Sequence, residues 1–214
     1  PGAFTGAALG QLADNIGQAL GATASYTAEI DKQRLALKNV TKDVAEYENA
    51  LAFIDKTSRD LAIPQDVLNK QFTQLSASVI GAGGDINLAQ EAFIGIAAGI
   101  RGTGGSLADM EGALRATAQV FSKGKVSAEE LRQQIGERLP GAFTLFAKSM
   151  GKTPQELDKM LEQGQVTLND FMSFVRTLSS EYGASASEIA ASSQAAGDRL
   201  ATSMSRMREA VGRE

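Results

Sequence analysis

Helix-start signals recur at short intervals along the second half of the chain, and they constrain its fold more than any other feature. Ser127 and Glu130 have the spacing of a capping box, in which both side chains satisfy free backbone donors at a helix start. Thr167 and Asp170 repeat the pattern further on. Thr153 stands directly before a proline, the residue favoured at the first helical position. This region is therefore predicted to be an array of short helices.

Glycines and apolar residues agree with these start signals. Gly151 and Gly164 stand where helix-ending glycines belong, and Gly124 is predicted to lie in the turn after the preceding helix. Between them, apolar residues recur at helical spacing, which predicts sides that face a core. These residues are Leu131, Ile135 and Leu139, then Phe143, Phe146 and Met150, then Leu157, Met160 and Leu161.

Three more helices are predicted upstream of this region, after Pro64. A proline disfavours the helical conformation of the residue before it, so it separates these helices from what precedes them. The third of them is expected to be capped by Ser106. Their apolar faces contain Leu68, Phe72, Leu75 and Val79, then Phe93, Ile96, Ala97 and Ile100, then Met110, Leu114, Ala118 and Phe121.

A seven-residue repeat of apolar side chains runs through residues 26–62. Two alternating series have the a/d spacing of a coiled coil over more than three heptads. The series consist of Ile30, Leu37, Val40, Val44, Tyr47, Leu51 and Ile54. Because the d positions are not leucines, the pattern favours a larger helical bundle over a parallel dimer. Self-association and packing against an antiparallel helix of the same chain are both open at this point.

The first residues of the chain, 1–25, are rich in glycine and alanine and are predicted to form an amphipathic helical segment. Gly2, Gly6 and Gly10 are four residues apart, which on a helix leaves a bare stripe for close packing. A flexible entry segment is the alternative interpretation. The chain opens at Pro1 without an initiator methionine, so we expect a piece of a longer protein.

The last residues, 183–214, are rich in alanine and serine and are predicted to form a C-terminal helix capped by Ser187. The predicted fold class is therefore all-α. It consists of a long coiled-coil-like helix over 26–62, an array of short helices over 63–182 and the C-terminal helix.

Composition excludes most catalytic machinery. The chain contains no Cys, His or Trp, which excludes thiolate nucleophiles, Cys/His zinc sites and histidine-dependent triads. We expect no cofactor and no metal. Lys and Arg number 21 and Asp and Glu 25, giving a net charge of −4, which argues against a dedicated nucleic-acid binder. An enzyme that needs only carboxylates survives this filter.

Two short stretches were tested for chemistry. The glycine-rich run 102–105 lacks the lysine and hydroxyl residue of a phosphate-binding loop and is predicted to be a turn. Glu137 precedes Arg138 and a bend at Pro140, and a glycosidase acid there would need a second carboxylate that the sequence does not identify. The pair is predicted to fix the bend.

The stretch from Ser122 to Val166 resembles the tape-measure domain of the tape-measure proteins of tailed bacteriophages. The likeness extends more weakly back to about Lys56 and forward to about Tyr182. The residues that carry it are Gly124, Val126, Ser127, Glu130, Leu131, Gly136, Glu137, Arg138, Pro140, Gly151 and Gly164.

The resemblance implies a structural role in the virion and no enzymatic activity. Family members lie inside the tail tube, help to start its polymerisation, set its length and leave it ahead of the DNA. The implied partners are further copies of the chain, the tail tube and tail tip proteins, and the host membrane during ejection. No specific nucleic acid is implied.

Two other functions compete with this one. A membrane-active helical protein would insert the apolar stretch 92–100 and the glycine stripe of residues 1–25 into a bilayer. A cell-wall hydrolase would use Glu137 as its acid.

Overall fold

Every secondary-structure element among residues 27–192, the part of the chain described by a computed structural model, is a helix. The elements are α1 (27–40), α2 (Val44–Asp60), α3 (Gln65–Gly81), α4 (Ile86–Gly102), α5 (Leu107–Lys123), a π-helix (Glu129–Ile135), α6 (Ala142–Ser149), α7 (Pro154–Glu162) and α8 (Leu168–Ala191). The predicted all-helical array is confirmed for this range. The predicted segment 1–25, with Gly2, Gly6 and Gly10, lies outside the described residues, as does the predicted C-terminal helix beyond Ser192.

Helix α4 lies at the centre of the structure. Its residues from Gly95 to Arg101 are all buried, as are Ala92 and Phe93. A helix that is apolar on all sides is typical of a buried position. The stretch 92–100, which the membrane hypothesis would insert into a bilayer, is therefore part of the protein core. None of the helices in the described range is long and apolar enough to cross a membrane.

Helices α4 and α8 pack backbone to backbone through glycines. A methyl group built on Gly95 would collide with the main-chain carbonyl of Val175. One built on Gly102 would lie 2.7 Å from Cβ and 2.8 Å from the carbonyl oxygen of Tyr182. Only residues without a side chain permit this approach, as in the small-residue contacts of tightly packed helices. Gly95 has no signal in the sequence, and Gly102, predicted to belong to a turn over 102–105, is the last residue of α4.

Two groups of phenylalanines fill the space around this pair. Phe53, Phe72 and Phe93 join α2, α3 and α4, with ring centroids 4.7–6.0 Å apart. The second group joins α5, α6 and α8, with centroids 4.9–6.3 Å apart, and consists of Phe121, Phe146, Phe171 and Phe174. Tilted and edge-to-face rings at these distances attract beyond the burial of their area. One continuous core results, and it extends from Leu37 to Ala186.

The seven-residue repeat does not form one continuous helix, which corrects the prediction for 26–62. The helix is interrupted at residues 41–43. There the Asp43 carboxylate accepts a hydrogen bond from the Glu46 N–H (2.9 Å) and caps α2. The Glu46 carboxylate in turn accepts from the Lys42 N–H. Thr41 donates its hydroxyl to the carbonyl of Lys38 at the end of α1 (3.1 Å). These local side-chain bonds compete with helical hydrogen bonds and end one helix where the next begins.

Most of the repeat faces the core of its own chain. Ile30, Leu37 and Ile54 are buried, and Leu37 and Ile54 belong to the main core. Partly buried against the same core are Val40, Tyr47 and Leu51. Val44 is 67% exposed because it begins α2 directly after the break. Contact with a second copy of the chain stays a prediction.

Helix α8 continues through the predicted boundary between residues 182 and 183. Gly183 lies inside the helix, and Ser187 donates its hydroxyl to the Gly183 carbonyl (3.1 Å) instead of capping a new helix. The helix ends at Ser192, whose N–H bonds to the carbonyl of Ile189. The prediction that a helix starts at Ser187 is therefore wrong.

The α2–α3 turn contains the one non-glycine residue of the described range with a positive φ, Ala62 at +50°. The buried guanidinium of Arg101 donates to the Ala62 carbonyl (3.1 Å), and the Ser58 hydroxyl donates to the next carbonyl, that of Ile63 (2.8 Å). Ala62 also packs against Ala190 near the end of α8. Side chains from α2, α4 and α8 thus hold this strained turn in place.

We expect the substitution Gly95→Ala to destabilise the chain by about 1–3 kcal/mol, because the added methyl group pushes α4 away from the α8 backbone. Gly81→Ala is the matched control, since a methyl group there meets nothing within 4 Å. We expect it to change stability by less than about 1 kcal/mol. Urea unfolding followed by circular dichroism measures both. Equal effects at the two positions would contradict the close contact.

Candidate functional site

The residues that carry the family resemblance lie where α5, the π-helix, α6, α7 and the start of α8 meet. The chain leaves α5 at Gly124, which has a φ of +71°. Gly151 and Gly164, after α6 and α7, also have positive φ, at +66° and +64°. The prediction that Gly151 and Gly164 end helices is confirmed, and all three glycines adopt the left-handed conformation that strongly favours glycine.

Two helix entries with the same local sequence pattern lie side by side. Val126 and Val166, each two residues after a helix-ending glycine, are both buried, and the Val126 N–H donates to the Val166 carbonyl (3.2 Å). Leu131 and Phe171 follow at matching positions and are fully buried. The repeated sequence pattern therefore builds one paired structural unit. The sequence shows the repeat but contains no signal for the pairing.

Glu130 is the most deeply buried charged residue of this site. Its side chain is 0% exposed, and it forms an ion pair with Lys123 at the end of α5. The Ser127 hydroxyl donates to the other oxygen of the same carboxylate. The carboxylate thus ties the start of the π-helix to the preceding helix.

This geometry corrects the predicted capping box at Ser127. No side-chain hydrogen bond caps the start of the π-helix, although the Ser127 hydroxyl donates to the Glu130 carboxylate. The predicted caps at Ser106, Thr153 and Thr167 are confirmed, and each is part of a capping box. These boxes consist of Ser106 with Asp109, Thr153 with Glu156, and Thr167 with Asp170.

The ion pair changes the pKa of both partners. Burial alone would raise the pKa of Glu130, but hydrogen bonds from Lys123 and Ser127 outweigh it and lower that pKa below its ordinary value. The same hydrogen bond raises the pKa of Lys123. Both groups are therefore charged at neutral pH, and the pair acts as a fixed link.

Gly136 is required by the wide turn of the π-helix. Its N–H donates to the carbonyl of Leu131, five residues earlier (2.9 Å), and a methyl group on its Cα would collide with the carbonyl of Arg132. The φ of Gly136 is an ordinary −64°, so it is close approach of the backbone that selects glycine here. Helical turns of this kind are rare in proteins overall, but those that occur are often found at functional sites.

Arg138 holds the bend that follows. Its guanidinium donates to the Gln134 carbonyl and lies against the α5 backbone at Gly112, where a methyl group would overlap Nε. Glu137 and Pro140 are exposed on the same turn. Arg138 therefore fixes the bend through main-chain contacts, without the predicted contribution of Glu137.

Two residues of this site had no clear signal in the sequence. Gly112, inside α5, provides the space for Arg138. Arg132 lies 4.3 Å from the ring centroid of Phe143 on α6 and forms an ion pair with Asp158 on α7. The one sequence signal for Gly112 is that a glycine occurs within a helical pattern without an evident reason. Contacts between residues far apart in sequence, such as those of Arg132, leave no local pattern.

The polar side chains of this region join segments of the chain to one another. Within residues 27–192, no cluster of three or more acidic side chains is suited to hold a metal ion. Glu137, the residue of the hydrolase hypothesis, is exposed on its turn. Together, fold and site define a helical structural module.

Comparison with known proteins gives the same class. The model of a family described as "Tape measure protein" matches residues 21–213. The chain therefore belongs to the tape-measure protein family. It is a structural segment of a phage tail protein and is not an enzyme.

A curated relative is the "Probable tape measure protein" of Salmonella phage Felix O1 (isolate Felix O1-VT1). It is 52% identical over 64 residues, which cover 30% of this chain and 9% of that protein. The match thus spans about a tenth of the length of the relative. No solved structure matches the chain.

We expect Glu130→Gln to destabilise the chain by about 1–3 kcal/mol at pH 7, because it removes the charged partner of Lys123. The folded-state pKa of Glu130 lies below the ordinary value of 4.5, so the stability that this carboxylate contributes is present above pH 4.5. It is lost as the pH falls through the folded-state pKa. The stability difference between wild type and variant should therefore shrink in acid.

Unfolding in urea between pH 3 and pH 7 tests this expectation. Glu129→Gln, at the exposed neighbouring position, is the matched control and should leave the pH dependence unchanged. A gap between wild type and Glu130→Gln that stays constant down to pH 3 would show that Glu130 contributes nothing through its charge.

Proposed function

We propose that this chain is a part of the tape measure that acts in tail assembly and in the determination of tail length, inside the lumen of the tail tube. Membership of the tape-measure family over residues 21–213 is the observation that carries the proposal. The described residues support it, because they form a self-contained helical module whose polar contacts serve packing.

The proposed partners are the tail tube and tail tip proteins. A role in DNA ejection, with contact to the host membrane at that step, belongs to the same proposal. The net charge of −4 fits a component that must not retain the DNA that follows it through the tube. The membrane-active alternative has no comparable support, since its apolar stretch 92–100 packs inside the core.

Self-association is the remaining part of the proposal, and exposed apolar side chains among residues 27–192 are the positions that would support it. Leu37 and Ile54 are already buried within their own chain. The large apolar side chains that remain exposed among residues 27–192 are Leu35 at 60% and Val44 at 67%, on either side of the break between α1 and α2. Burial of these two side chains against a second copy of the chain would remove apolar surface from water.

We expect the double substitution Leu35→Asp and Val44→Asp to lower the oligomer mass measured by light scattering, since it places two charges at the proposed contact. Helix content should not change, because both side chains are exposed. Asp55→Ala with Lys56→Ala, on the same α2 helix, is a control that should leave the mass as it is. An unchanged mass in the first variant would contradict self-association through this surface.

The location in the virion tests the proposed function most directly. Antibody against this chain is used on purified phage particles that have been disrupted, before and after DNA ejection. We expect a signal in filled particles and its loss after ejection, because a tape measure leaves the tube ahead of the DNA. Absence of the signal from both samples would refute the tail assignment. A signal that persists after ejection would refute the role in ejection alone.

A further inference from the structure

We propose that residues 27–192 act in the tail as a compact body that contributes almost nothing to tail length per residue. This inference rests on the proposed tape-measure function and deepens it. It assigns the ruler to other parts of the full-length protein and gives this module a fixed size.

The folded module is far shorter than the same residues would be as one helix. Residues 27–192 number 166, and as one straight helix they would span about 250 Å at 1.5 Å per residue. A compact chain of this size has a radius of gyration of about 15 Å, which corresponds to a sphere about 40 Å across. The longest helix, α8, has 24 residues and spans about 36 Å, which agrees with the compact figure.

The helices of the module share one main core. Buried residues from α1 to α8 belong to a single cluster, so no helix can be drawn out of it without exposing apolar surface of its neighbours. The contact of α4 with α8 is the tightest part, since it depends on Gly95, Gly99 and Gly102.

The turns between the helices also oppose extension into one helix. Six glycines in the described range have positive φ, a conformation that no α-helix contains. Pro64 and Pro140 stand between helices, where each would break a continuous one. The capping boxes at Ser106, Thr153 and Thr167 add side-chain bonds that exist only at helix starts.

The test uses the full-length protein in the phage, with tail length measured by electron microscopy. A second copy of residues 27–192 is inserted after Ser192. We expect tails to lengthen by no more than about 40 Å, the width of the folded module. Lengthening by about 250 Å, the value for a straight helix, would overturn the inference.

Two matched insertions of equal residue number accompany it. In the first, the inserted copy carries Phe93→Asp and Phe171→Asp, two fully buried positions, so that it cannot fold. We expect it to lengthen tails more than the intact copy does, and equal increments would overturn the inference. In the second, an uninterrupted heptad helix replaces the copy and should add about 250 Å. No change with the heptad helix would refute the ruler function itself.

A cross-linking experiment needs no insertion, so it tests whether the module is folded in the tail even if the insertions prevent tail assembly. Lys148 on α6 forms an ion pair with Glu181 on α8 (2.9 Å), and this chain contains no cysteine. Lys148→Cys with Glu181→Cys should be joined by a short bismaleimide in intact particles, whereas Lys148→Cys alone gives the background. A double variant that cross-links in the isolated chain but only at background in particles would overturn the inference.

Discussion

The close contact of α4 with α8 is the constraint on which the rest of the structure depends. Backbone collides with any added methyl group at Gly95 and Gly102, so the two helices lie as near to each other as their main chains allow. This distance sets the positions of the surrounding phenylalanines, which fill the space on both sides of the pair. Helices that approach so closely gain dispersion contacts between their backbones.

The turns complement this core because they make any extended alternative unfavourable. In a continuous helix, six glycines that now adopt positive φ and three prolines, at 64, 140 and 154, would together cost about 15 kcal/mol in helix propensity. That cost is as large as the whole stability of a typical domain. Two effects therefore favour the folded arrangement. The helices form a common core, and the glycines and prolines of the turns make one continuous helix unfavourable.

Local chemistry made much of this fold predictable. Ser106, Thr153 and Thr167 cap helices as their spacing predicts, and Gly124, Gly151 and Gly164 end them. The structure departs from the sequence interpretation where partners are distant in sequence. Arg138 selects Gly112, Val126 bonds to Val166, and Gly95 faces Val175, and none of these pairs has a local signature. The family itself was predictable, because its motif is contiguous.

The seven-residue repeat shows why periodicity alone is not sufficient to assign a helix. Apolar spacing records which side chains face a core, and Leu37 and Ile54 do face one. It contains no information on whether the backbone between them is continuous. Asp43 and Glu46 decide that question through bonds that cap α2 at a point where the apolar pattern continues. In this chain the heptad repeat therefore predicts burial better than it predicts a continuous coiled-coil helix.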